Sequence, residues 1–316
     1  MAEESRKTVL AAMGANFGIA VGKLAAGLIT GSGAMLAEAG HSAADTVNQV
    51  FLLLGLRLAE AKPDEDHPHG YGKEGFFWSF LAAIFIFVAG ATFSVYEGLR
   101  TLAQNDVHER TATELAIGFG VLGMAFLFES VSFVVAVREL RRSASRRAWS
   151  FVQYLRKSPD LTTKTVFWED SAALAGLALA ALGLFVSEVT GNEHWDGAAA
   201  LSIGAVLALV AVMLGLQSRK LLLGAAASEE TRMAISASVR AFPEVQQVVR
   251  LLTMQLGSHS VLVSGELAVQ RRMTTEQIED LLLRIDTQLE KDVPEVSETF
   301  WELKRGTDEA KPAGDR

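Results

Sequence analysis

The chain has 316 residues, half of them hydrophobic, with no cysteine and a formal net charge of −8. Without cysteine there is no thiolate metal site and no disulfide, and the acidic balance gives no reason to expect a nucleic-acid partner. Long apolar runs parted by short polar ones are the mark of a membrane protein rather than a soluble one.

The first residues, Met1-Ala-Glu-Glu-Ser-Arg-Lys7, are mixed in charge. They carry no signal-cleavage pattern and are too acidic for a mitochondrial transit peptide, so the first apolar segment is expected to stay in the membrane. Six spans are predicted, at about 9–29, 34–60, 76–102, 111–138, 164–190 and 196–223. Each is long enough for the ~20 residues that a helix needs to cross. Thr30-Gly-Ser-Gly33 is too short a link for anything but an antiparallel helix pair. Between the fourth and fifth spans stand Arg138, Arg141, Arg142, Arg146, Arg147, Arg156 and Lys157, whereas Thr190–Asp196 has no lysine or arginine. The basic stretch is expected on the cytoplasmic side, with both termini there as well.

After residue 223 the pattern becomes that of a small soluble domain, 224–303. It reads as helix Ser228–Arg240, strand Val245–Leu256, strand Val261–Val269, helix Thr274–Lys291 and strand Val296–Leu303. Thr274 and Gln277 have the spacing of a capping box. Two helices on one face of a three-stranded sheet make an α+β domain. Residues 304–316, polar with Gly and Pro, are expected to be disordered.

Ionisable residues inside apolar segments are costly and usually face a protein or water pathway. His41 and Asp45 share the second span at i and i+4, hence one helix face. Glu169 and Asp170 share the fifth; adjacent residues diverge by ~100° on a helix, so one is expected to face the site and the other a neighbouring helix or solvent. Carboxylate and imidazole are the ligands of a divalent transition metal. The competing reading is a hydrogen-bonded packing pair inside the bundle, but four such residues in two segments favour a metal or proton path. Glu129 in the fourth span is a further candidate, and Glu38 and Asn48 flank the first pair as groups that could orient the ligands. The loop Pro63–Lys73 packs Asp64, Glu65, Asp66, His67 and His69 together and offers weak metal contact, against a reading as a solvated turn. His259, the only histidine of the small domain, reads as a solvated loop residue.

Gly33-Ala-Met-Leu-Ala-Glu-Ala-Gly-His-Ser-Ala-Ala-Asp45, then Asp66-His-Pro-His-Gly-Tyr-Gly-Lys-Glu74, then Asp170 resemble the cation diffusion facilitator family of divalent-metal/proton antiporters. The resemblance covers about residues 8–303. It implies a membrane α-helical fold of six transmembrane helices (1–223) with a cytoplasmic, metallochaperone-like (ferredoxin-like) α+β domain, working as a homodimer. It implies transport-site ligands at His41, Asp45 and Asp170, with Asp64 and His67 at a secondary loop site. The family's other ligand on the fifth helix falls at Val166, which cannot bind metal; Glu169 beside Asp170 resembles a subgroup that includes a mitochondrial zinc transporter. Tyr71 replaces a loop histidine, Val249, Glu266 and Trp301 replace small-domain ligands, and Gly224 stands where some members bridge an aspartate to Lys73.

The resulting expectation is a secondary transporter that exports a divalent transition metal, Zn²⁺ first and Mn²⁺, Fe²⁺ or Co²⁺ as alternatives, in exchange for protons. Glu169 or Glu129 would be the fourth ligand. The metal is cargo, and no resident cofactor is expected. The rival is a membrane metal sensor or scaffold on the same fold. The Ala-rich composition points to a bacterial plasma membrane.

Overall fold

The computed structural model describes residues 2–103 and 110–305, with side chains from residue 16 onward. The chain divides into two compact units, one of residues 1–58, 74–156 and 160–219, the other of 59–73, 157–159 and 220–316.

The first unit is helical. Its elements are α1 (Ala2–Thr30), α2 (Gly33–Ala59), α3 (Glu74–Phe85), α4 (Thr92–Ala103), α5 (Ala112–Arg146), α6 (Phe151–Lys157), α7 (Leu161–Thr190) and α8 (His194–Leu222). A π-helical stretch, Ile86–Ala91, joins α3 to α4, so Glu74–Ala103 is one continuous rod. Among the described residues, four segments are long and apolar enough to cross a membrane: Glu74–Ala103, Ala112–Arg146, Leu161–Thr190 and His194–Leu222. In α1 the described apolar stretch is the shorter Asn16–Thr30, and α2 carries Glu38, His41 and Asp45 in its interior. Four of the six expected spans therefore stand on length and apolarity.

Burial is inverted relative to a water-soluble bundle. Leu28, Leu127 and Leu209 are about 70 % exposed, while Lys23, Glu38 and Asp196 are fully buried. Such an exterior suits lipid, and such an interior can only hold polar groups that find partners. On α5 the inward stripe Gly118, Leu122, Ala125, Glu129, Ala136, Leu140 and Ala144 keeps the helical repeat. The arginine stretch differs from the expected loop. Arg138, Arg141, Arg142 and Arg146 lie on α5 itself, which runs to Arg146. Residues 136–146 hold no Gly or Pro and are rich in Ala, Arg, Leu and Glu, all good helix formers, so nothing ends the helix at the end of its apolar part.

The α1–α2 turn passes through Gly31 at φ 63°, a left-handed conformation that glycine adopts without steric cost. Opposite charges hold it. Arg110 Nε donates to the Thr30 carbonyl at 2.7 Å, at the negative end of α1. Asp196, from the first turn of α8, accepts from Ser32 Oγ and from Gly33 N–H at 2.6 Å each, at the positive end of α2. Both placements agree with the helix dipoles.

The second unit holds α9 (Glu229–Arg240), β1 (Val245–Gly257), β2 (Ser260–Val269), α10 (Thr275–Asp292) and β3 (Val296–Leu303), each within a residue or so of expectation. The sheet order is β1-β2-β3, with β1–β2 antiparallel and β2–β3 parallel across the α10 crossover. Ile235 and Val239 of α9 and Leu281, Ile285 and Leu289 of α10 bury against Val261, Val263 and Leu267 of β2. Thr274 and Gln277 form the reciprocal capping box at the start of α10. The expectation for 306–316 lies outside the described residues.

Candidate metal centre

α2 brings His41 and Asp45 to one face, with Nδ1 and Oδ1 3.4 Å apart. His41 is 1 % exposed, and among the described residues neither ring nitrogen has a hydrogen-bond partner; Asp45 Oδ1 has none there either. Buried polar atoms are almost always paired, so three unpaired ones in one helical turn make this a candidate ligand site.

α7 carries the next two carboxylates. It is packed on several sides, so both halves of the adjacent pair are buried. The ~100° between neighbours sends them to different helices. Glu169 Oε1 accepts from Asn48 Nδ2, one turn beyond Asp45 on α2. Asp170 Oδ2 accepts from Ser132 Oγ of α5 at 2.8 Å. Glu169 thus turns toward the helix of His41 and Asp45, and Asp170 toward the neighbouring α5. Glu129 lies on α5 three residues before Ser132 and is buried. Val166 instead packs with the apolar group of Phe133, Leu140, Tyr154 and Phe167. Among the described residues no three His, Asp or Glu side chains already converge as a ready metal cage. The candidates are carried by α2, α5 and α7, with His41 and Asp45 on the first, Glu129 on the second and Glu169 and Asp170 on the third.

One member of this region escaped the sequence reading. Lys23 of α1 is fully buried, and its Nζ donates to Glu38 Oε2 at 2.9 Å and Ser42 Oγ at 2.7 Å, both on α2. Glu38 Oε1 is unpaired and lies over Gly176 of α7, where a Cβ would collide with it. Breaking a buried pair by removing one partner costs about 3–5 kcal/mol. The signal was available: Lys23 is an ionisable residue inside an apolar segment, the same criterion that picked out Asp45.

The loop is organised around Asp64. Tyr71 O–H donates to its Oδ2 at 2.6 Å and the His67 N–H to its Oδ1 at 2.7 Å. The Tyr71 hydroxyl, and next the His67 amide, hold the Asp64 carboxyl below its ordinary range. The His67 ring lies against Tyr71 at 4.1 Å between centroids, tilted by 33°, with its Nδ1 3.7 Å from Asp64. His69 leaves this group and meets Glu298 of β3 at 2.5 Å. In the small domain, Trp301 Nε1 donates to Asp286, Glu266 faces Arg250 at 3.8 Å, and Val249 and His259 are exposed. Lys73 reaches Met254 Sδ at 3.8 Å, and Gly224 lies against the same methionine.

Comparison with known proteins fits this layout. The model of the cation efflux transmembrane domain matches residues 9–223. The chain is 30 % identical over 290 residues to the human protein named proton-coupled zinc antiporter SLC30A9, mitochondrial, covering 90 % of this chain and 50 % of that one. It is 32 % identical over 228 residues to metal tolerance protein C4 of Arabidopsis thaliana, covering 72 % and 49 %. It is 29 % identical over 205 residues to magnetosome protein MamB of Magnetospira, covering 64 % and 62 %. The chain spans about half the length of the first two. With a match across most of its length and four long apolar helices within it, this chain is an integral membrane protein of the cation efflux family, a family of metal transporters and not of enzymes.

Proposed function

We propose that the protein exports a divalent transition metal, Zn²⁺ first, in exchange for protons. The observation that carries this is the pair His41 and Asp45, buried with both imidazole nitrogens and one carboxylate oxygen lacking a hydrogen bond, together with the two buried carboxylates of α7. His41, Asp45 and Asp170 are the ligands we assign, with Glu169 as the fourth and Glu129 as the alternative. Glu169 is favoured because Asn48 ties it to the helix of His41 and Asp45. The ligands are divided between two helices, α2 and α7, and come together around the ion, as alternating access to two sides requires. Proton exchange follows from the ligand chemistry, since metal and protons compete for the same lone pairs. Zinc is first because of the donor set and the name of the human relative; the carboxylates keep Mn²⁺, Fe²⁺ and Co²⁺ as alternative cargo.

The same reading takes all six helical segments as spans, both termini on the cytoplasmic side, a homodimer as the working form and a bacterial plasma membrane as its site. Asp64 and His67 would meet the cation on entry. The test is uptake of Zn²⁺ into proteoliposomes under an imposed pH gradient, read by an internal zinc dye. Asp45→Asn keeps the size of the side chain and removes an anionic oxygen. Insertion and dimerisation are expected to persist while uptake falls to background. Uptake near the wild-type rate would overturn the assignment.

A further inference from the structure

We infer that Lys23 is a tethered counter-cation that keeps Glu38 out of the metal's coordination, and so sets the charge of the transport site. The inference rests on the transport reading above and concerns residues that reading leaves idle.

Lys23 and Glu38 are each fully buried, and their contact at 2.9 Å joins α1 to α2. Glu38 precedes His41 by three residues and Ser42 follows it by one, so the ammonium sits against the turn of α2 that carries the histidine. Glu38 is therefore a carboxylate within one turn of a metal ligand, buried, with its Oε1 unpaired and aimed across at Gly176 of α7. A carboxylate so placed would draw a dication. What restrains it is Lys23, with the Ser42 hydroxyl completing the ammonium's grip on α2. Gly176 gives Glu38 its space, because a side chain there would displace the carboxylate. A buried lysine in an otherwise apolar part of α1 has no packing advantage over leucine. Its retention against a carboxylate beside the site is accounted for by charge matching. The pair cancels internally, and the ion is left to the remaining ligands.

The two partners then have opposite effects, which a merely structural pair would not. Lys23→Gln frees a negative charge close to the ion: apparent KM for Zn²⁺ falls about tenfold and the maximal rate falls with it, because the ion leaves slowly. Glu38→Gln leaves a positive charge unbalanced: apparent KM rises by a similar factor. The double variant Lys23→Gln/Glu38→Gln is neutral again and returns KM to near the wild-type value. The assay is Zn²⁺ uptake into proteoliposomes of the full chain, normalised to inserted protein. Singles that shift KM the same way, singles that do not shift it, or a double no nearer to wild type than the singles overturn the inference. If a single variant does not insert, Lys23→Arg and the double decide: KM near wild type in both supports the inference, and loss in the double overturns it. Wild-type protein that moves none of Zn²⁺, Mn²⁺ and Co²⁺ overturns the transport reading and this inference with it, whereas wild-type uptake with unshifted variants overturns this inference alone.

Discussion

At the scale of single residues, adjacency on a helix does the sorting. Glu169 and Asp170 are bonded neighbours, yet one is held by Asn48 of α2 and the other by Ser132 of α5. On the proposed reading, the carboxylate tied to the helix of His41 and Asp45 is the one assigned as fourth ligand. Glu169→Gln is expected to weaken Zn²⁺ binding by about tenfold to a hundredfold, in the range found when groups around a metal site are removed. It should also alter the pH dependence of uptake, and Glu129→Gln should do less. Equilibrium dialysis of the detergent-solubilised variants reads the affinities, and the reverse ranking would give the position to Glu129. In the loop, Asp64 titrates below its ordinary range because of the Tyr71 hydroxyl. A depressed folded-state pKa contributes stability that is present above the unfolded value and is lost as pH falls through the folded one. Tyr71→Phe should therefore raise the Asp64 pKa, and carboxyl-resolved NMR titration would detect it; an unmoved titration would show that the hydroxyl is not its cause.

At the scale of elements, the ends of α2 matter as much as its middle. Asp196 serves as a cap donated from another helix, satisfying Ser32 and the Gly33 amide, while Arg110 closes the last carbonyl of α1. Asp196→Ala would strand a buried hydroxyl and a buried amide, at a cost of about 1–3 kcal/mol each before relaxation. A fall in the thermal midpoint of the solubilised protein is expected, with Asp196→Asn losing less, since it keeps an acceptor. Equal midpoints for wild type and Asp196→Ala would rule the cap out as a stabilising contact. The arginines at the end of α5 belong to this scale too. Loop charge predicts a cytoplasmic side for them, and they ride on a helix that overruns its apolar part.

At the scale of the molecule there are two units with separate cores, one apolar outside and one apolar inside. The small unit follows ordinary soluble rules, and its interior is aliphatic. Its polar pairs, such as Trp301 with Asp286 and Arg284 with Glu244, are closed on themselves. A tight zinc site needs about four converging ligands, and His259 is an isolated, exposed histidine in the β1–β2 turn. Calorimetry on the fragment 224–316 is expected to give no micromolar Zn²⁺ binding, and a stoichiometric tight site would restore a metal-sensing role to this unit.

Much of this was legible in the sequence because the signals are local. Hydropathy over some twenty residues fixes where a helix can sit in lipid, and alternation with Thr274 and Gln277 as punctuation fixes the elements of the small domain within a residue or so. The i,i+4 spacing alone puts His41 and Asp45 on one face. Tertiary structure alone decided which buried groups meet. Lys23 with Glu38 and Asn48 with Glu169 join different helices, and Asp196 with Ser32 joins α8 to the α1–α2 turn, two of these pairs across more than a hundred residues of chain. A helix that is apolar all round, as α7 and α8 nearly are, does not announce its rotation, because its hydrophobic pattern has no preferred face. In lipid that rotation is set by where the few polar side chains find one another, and this is a property of the packed bundle rather than of any one segment.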